Sequence, residues 1–326
     1  MSFILYLLLK MKQLESVIPT SENNSGNVLV DNSRDMLKNT LLLEPPLTQT
    51  LDWTFGDKLI NMRVYPIKWE KRILLNIHGT FWNMLWWDNK YEKLAQYIQK
   101  QWTWNAVIFE TSRKNVPQDW SYEAKKMWFE WKTFDQELED CSKVITWLID
   151  NAENVFGVKW EDLEITINGN SLGGILALFL ADKFPQVKNI STVWTGLLTK
   201  DKKNIPLLGD YPDTEELKEC LSHFNGNFLL HYGTKDQLFS FDDFVSFYKS
   251  LQNARIWQIK MVWVDHTFKF IDWKKSRRPY MQIESDVDNL MKWKLVSWEI
   301  VPAIEKNPDA PDSAYYDDSD LDFFAG

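Results

Sequence analysis

The residues best placed to do chemistry are Gly169-Asn170-Ser171-Leu172-Gly173, a G-x-S-x-G between a short apolar run and an apolar helical one. A serine at a sharp strand-to-helix turn is pushed out of the sheet and into a cleft, and glycines on either side leave room for the neighbouring strand and helix. The chemistry is nucleophilic attack. A serine hydroxyl is a weak nucleophile near neutral pH, so it needs a general base within hydrogen-bond reach and an acid to orient that base.

Four histidines are available: His78, His223, His231 and His266. In the order serine, acid, histidine, the base follows Ser171 and ends a strand. His266 fits, at the end of an apolar run through Ile256, Ile259, Met261, Val262 and Val264. His231 lies inside a strand pattern and points into packing or along the sheet, and His223 falls on a helix. The acid belongs after the strand Asn227–Tyr232, where Gly233 breaks the pattern and Asp236 follows. Asp242 and Asp243 are the alternatives, but both sit in the first turn of a helix, where the dipole already favours acids. Charge developing on a carbonyl oxygen requires two backbone N–H groups. Leu172 follows the nucleophile and opens a helix, where anions are favoured. Thr80 follows the strand Ile73–Ile77 and the turn His78-Gly79. His78 is read as a loop-tying side chain, not as the base.

The ordered set His78-Gly79, Gly169-x-Ser171-x-Gly173, Asp236 and His266 resembles the α/β-hydrolase superfamily over residues 50–300. The resemblance implies Ser171 as nucleophile, Asp236 as acid, His266 as base, and the amides of Leu172 and Thr80 as the oxyanion hole. Many members carry an Asp with Arg-Gly after the fourth strand; this chain has Glu110-Thr111-Ser112-Arg113. That departure bears on subfamily, not on the triad.

The elements that must position these residues alternate from residue 50 onward. The strand pair Thr50–Phe55 and Ile60–Ile67 turns through Gly56-Asp57, and strands at Ile73–Ile77, Ala106–Phe109 and Val187–Trp194 join the three that lead to Ser171, Asp236 and His266. Helices are expected over 89–101, 135–151, 172–181, 214–223 and 286–298. The second carries Phe134, Leu138, Cys141, Ile145 and Leu148 on one stripe. The expectation is an α/β-hydrolase fold: a mainly parallel eight-stranded sheet, helices on both faces, and a small cap or none. Sites in such sheets form at the carboxyl ends of strands. A lid has only Leu197–Pro212 to draw on. Among the 18 tryptophans, Trp82 and Trp120, with Phe81, border the site and suggest an apolar substrate pocket.

The chain is 44% hydrophobic and 25% charged over 326 residues, enough for one large core. Three segments are expected: an irregular lead-in over 1–49, the α/β domain over 50–300, and an acidic tail over 301–326. The tail holds six aspartates and no Lys or Arg between residues 309 and 322, and contributes to a net charge of −9. That acidity argues against a nucleic-acid partner. The apolar run over residues 3–9 is too short to span a bilayer and lacks preceding positive charges, which leaves at most a surface contact with a membrane and points to the cytoplasm. Met1 and Met11 remain alternative starts. Cys141 and Cys220 read as buried free thiols, and no Cys/His spacing implies a metal.

The expected function is a serine hydrolase acting on an ester or thioester of a small to medium acyl group, with no cofactor and a small-molecule acyl substrate. The same triad serves peptidases and carbon–carbon bond hydrolases, a membrane-associated lipase or acyltransferase could use the N-terminal run, and a non-catalytic binding protein could retain the fold.

Overall fold

The computed structural model describes residues 44–55, 58–80, 84, 86–101, 103–113, 132–193, 195, 212–236, 241, 249–262, 264, 278–292, 294 and 299–304. The chain divides into two units, Met1–Leu42 and Leu43–Gly326, and every described residue belongs to the second.

The strands are β1 (Leu47–Phe55), β2 (Lys58–Tyr65), β3 (Arg72–Ile77), β4 (Asn105–Glu110), β5 (Glu164–Asn170), β6 (Val187–Val193), β7 (Asn227–Gly233), β8 (Ile256–Val262) and β9 (Glu299–Ile304). They form one sheet in the order β1-β2-β4-β3-β5-β6-β7-β8-β9. β1 pairs antiparallel with β2, and β2 with β4; every later pairing is parallel. The mainly parallel sheet is as expected, and among the described residues it has nine strands rather than eight. The extra one, β9, pairs with β8 and includes residues 301–304, the start of the expected acidic tail. At the other end β1 begins at Leu47, inside the stretch read as lead-in.

The described helices are α1 (Trp86–Lys100), α2 (Phe134–Asp150), α3 (Leu172–Lys183), α4 (Thr214–His223) and α5 (Arg278–Met291). The last starts and stops earlier than the 286–298 expected. Alternation along the strands sorts the layers. Ile73, Leu75 and Ile77 of β3, with Val107 and Phe109 of β4, pack against α2, α3 and α4 in one core. Leu74, Ala106 and Ile108 face the other way, in a second core with Tyr91, Leu94, Ala95 and Ile98 of α1 and Ile283, Val287 and Met291 of α5. Side chains on a strand point alternately to opposite faces, so residues buried on both faces read as continuous apolar runs.

Local signals set the helix ends. Thr133 caps α2 and Asp213 caps α4, each in a reciprocal box with a Gln or Glu three residues on. Helix α3 differs: it is apolar all round, buried from Leu172 to Leu178, and has no side-chain cap. Cys141 and Cys220 are both buried and neither is in a disulfide.

Candidate active site

β5 runs straight into α3 through Ser171, whose backbone sits at φ 51°, ψ −116°. A non-glycine residue rarely adopts positive φ, and holding one there costs of the order of 1–3 kcal/mol. Its surroundings impose the conformation. The Ser171 N–H bonds the Val193 carbonyl at the end of β6 (2.8 Å), and the Thr195 hydroxyl donates to the Ser171 carbonyl (3.2 Å). A side chain at Gly169 would overlap the Gly173 carbonyl, and a Cβ on Gly173 would lie 2.5 Å from the Ile77 carbonyl oxygen. The two motif glycines thus allow the strand, the turn and the start of α3 to close on one another and on the end of β3. Ser171 occupies the N-cap position of α3, yet its side chain makes no capping hydrogen bond, and the residue is partly exposed.

The next strand over, β3, ends in His78-Gly79-Thr80. Gly173 packs on the Ile77 and His78 carbonyls, so the first turn of α3, with the Leu172 amide, lies directly against this loop. His78 is buried, and its Nδ1 is 3.0 Å from the Gly79 carbonyl oxygen. Burial, reinforced by the Arg113 guanidinium, pushes its pKa down to about 3. The ring is therefore neutral at ordinary pH and donates from Nδ1 to that carbonyl. It ties the loop, as read from the sequence.

Behind the loop lies a buried charged cluster that sequence reasoning missed. Arg113 donates from Nη1 to the Thr80 carbonyl (2.5 Å) and the Gly79 carbonyl (3.3 Å), and pairs with Glu137 of α2 through Nε and Nη2. Lys132, fully buried, sits 2.8 Å from Glu137 Oε2 and 2.5 Å from Asp140 Oδ2. Asp140 also accepts from the Ser112 N–H (2.6 Å) and hydroxyl (2.7 Å), and the Thr111 hydroxyl donates to Glu137 (2.9 Å). Among the described residues the cluster pairs two cations with two carboxylates. Burial alone would raise the Glu137 pKa, but Arg113 and Lys132 outweigh it and hold the carboxyl well below the usual range. The signal was present in the sequence: the buried stripe of α2 runs 134-137-141-144-148, so Glu137 is on it.

Asp236 follows β7, half-buried, its N–H bonded to the Gly233 carbonyl at 2.9 Å. The chain here zips onto the segment after β8: Thr234 N–H to the Val262 carbonyl (2.8 Å) and Lys235 N–H to the Val264 carbonyl (3.1 Å). Val264 is two residues short of His266. His266 itself lies outside the described residues, as do Phe81, Trp82, Trp120, Asp242, Asp243 and the 197–211 stretch of the expected lid. Ser171, Leu172, Thr80 and Asp236 all stand at the carboxyl ends of parallel strands, on β5, β3 and β7. Of the other histidines, His231 is buried against Asp286 of α5 (3.0 Å) and His223 pairs on the surface with Asp182 (2.9 Å). Among the described residues no group of three or more His, Cys, Asp or Glu side chains is arranged to hold a metal ion.

No family model matches the sequence, and neither does any curated protein. Solved structures do match. An esterase from Pyrococcus furiosus superposes with a TM-score of 0.55 at 11% identity, covering 84% of this chain and 96% of that one. A second crystal form of that esterase gives 0.50 at 13%, covering 84% and 95%. A cold-adapted esterase from an Arctic intertidal metagenomic library gives 0.50 at 15%, covering 77% and 93%. The chain has the α/β-hydrolase fold. Ser171 directly follows β5, and the His78-Gly79-Thr80 loop follows β3, the strand paired with β5.

Proposed function

We propose that this α/β-hydrolase-fold protein is a serine hydrolase that cleaves esters or thioesters of small to medium acyl groups. The observation that carries the reading is the backbone of Ser171: a serine held at φ 51° at a strand end, with its hydroxyl not spent on capping the helix it begins. Strain of this kind persists where the surroundings over-determine it, and it clusters at reactive sites.

In the proposed reaction Ser171 Oγ attacks the acyl carbonyl while His266 takes its proton, forming a tetrahedral intermediate. The carbonyl electron pair goes to the oxygen, which the Leu172 and Thr80 amides receive. Collapse expels the alcohol or thiol, which takes the proton from His266, and leaves an acyl-serine. Water, deprotonated by His266, attacks that ester; a second collapse releases the acid and returns the proton to Ser171. Asp236 holds the imidazole in the productive tautomer. Support for this pairing comes from the zipped segments that carry Lys235 and Val264 side by side. The structural neighbours named as esterases add to it.

The test is a fluorophosphonate probe with a panel of p-nitrophenyl esters. Wild type should label once and hydrolyse the shorter acyl chains. Ser171→Ala should lose both while keeping its circular dichroism spectrum. An unlabelled wild type, or a Ser171→Ala enzyme that still turns over, would overturn the assignment.

A further inference from the structure

We infer that Arg113 is the positioning residue that sets the oxyanion hole, by holding the Gly79–Thr80 peptide with its N–H turned to the reacting centre. The inference rests on the serine-hydrolase reading above.

The argument starts from peptide geometry. A trans peptide is planar, and its N–H and C=O point in opposite directions. No cis peptide occurs among the described residues, so the direction of the Gly79 carbonyl dictates that of the Thr80 N–H. That carbonyl accepts from two donors, His78 Nδ1 at 3.0 Å and Arg113 Nη1 at 3.3 Å. The Thr80 N–H is thereby turned away from the guanidinium. Glycine at 79 offers no side chain to resist a peptide flip. A flipped peptide would present a carbonyl dipole to a developing negative charge, repelling what it should stabilise. The same Nη1 also binds the Thr80 carbonyl at 2.5 Å, so one nitrogen spans consecutive peptides and fixes their relative rotation.

Arg113 is itself rigidly placed. It is buried, paired to Glu137 on α2, and Glu137 is held in turn by Lys132 and Thr111. The planar fork of a guanidinium can bind a carboxylate on one edge and carbonyls on another, which a lysine ammonium cannot do in the same geometry. A positive charge behind the two carbonyls also strengthens the partial charge on their N–H ends. The two carbonyls it binds are the pair bracketing the proposed oxyanion donor.

The experiment compares full-length wild type with Arg113→Ala and Arg113→Lys in p-nitrophenyl ester turnover, with fluorophosphonate labelling of each. Loss of one oxyanion donor lowers kcat about 10²–10³-fold. Arg113→Ala should show that loss with little change in KM, Arg113→Lys a smaller one, and millimolar guanidinium should restore turnover to Arg113→Ala but not to Ser171→Ala. Should Arg113→Ala fail to fold, Arg113→Lys carries the test: its melting temperature should stay close to wild type while kcat falls. Wild-type kcat in a folded Arg113→Lys or Arg113→Ala enzyme, with Ser171 labelling intact, overturns this inference and leaves the hydrolase reading standing. A wild type that neither labels nor hydrolyses overturns both.

Discussion

Backbone conformation separates Ser171 from an ordinary helix N-cap. In most helices a serine at that position bends back to bond the amides of the first turn; here φ of 51° and ψ of −116° accompany a side chain that makes no such bond. His78 shows the opposite use of a reactive residue. Its imidazole is enclosed, kept neutral by burial and by Arg113, and used as a fixed donor. That has a measurable consequence. The folded-state pKa of about 3 lies below that of an unfolded histidine, about 6.5. Between those values the unfolded chain binds a proton that the folded chain refuses, so stability from this residue is full above pH ~6.5 and falls as the medium is acidified toward pH 3. In urea titrations, wild type should lose stability more steeply than His78→Asn as pH falls from ~6.5 to ~4, the difference in slope approaching about 1.4 kcal/mol per pH unit below pH ~5.5. Parallel slopes would show that His78 titrates normally in the fold.

At the scale of elements, the sheet carries a row of polar side chains where apolar ones would be ordinary. Thr166, Asn189 and Asn227 stand in register on β5, β6 and β7 and bond in sequence, Asn189 to Thr166 at 2.9 Å and Asn227 to Asn189 at 2.7 Å. Asn76 and Asn168 repeat the arrangement on β3 and β5 at 2.9 Å. All of these residues are buried. Parallel strands in register place like positions side by side, so one amide can serve as both donor and acceptor across the sheet. Breaking such a row is costlier than removing it, because each orphaned group keeps its desolvation penalty. Asn189→Leu should destabilise by about 2–3 kcal/mol, and the triple replacement Thr166→Val, Asn189→Leu, Asn227→Leu by less than the sum of the three single changes. Chemical denaturation of the set reads this directly, and strict additivity would mean the bonds contribute nothing.

At the largest scale, the sheet of the described residues lies between two cores. Helices α2, α3 and α4 cover one face, α1 and α5 the other, and the strand ends that carry Thr80, Ser171 and Asp236 emerge from the same end of the sheet. None of the described helices is long and apolar enough to cross a membrane. β9 completes the sheet beside β8, whose far end leads toward His266. A chain ending at residue 298 loses that partner strand; one ending at 304 retains it. The first should melt well below wild type and lose ester turnover, and the second should melt nearer to wild type. Equal melting temperatures for the two truncations would show that β9 adds nothing to the sheet.

What the sequence determined by itself was whatever depends on local pattern. Apolar runs and their breakers located β3, β4, β5, β6, β7 and β8, Asp213 opened α4 at Thr214, and G-x-S-x-G marked a turn tight enough to need both glycines. The broken strand pattern likewise put Asp236 just past the end of β7. Tertiary structure decided what depends on partners far apart in the chain. β9 is a short strand that only its pairing with β8 defines, so local pattern does not set it apart from the tail that follows. Local pattern does not reveal that Arg113, Lys132 and Asp140 are buried, because charged side chains are buried only when matched, and the match spans 24 residues from Arg113 to Glu137. Spacing alone puts Glu137 on the buried stripe of α2; only the folded chain supplies the guanidinium that lets it stay there ionised.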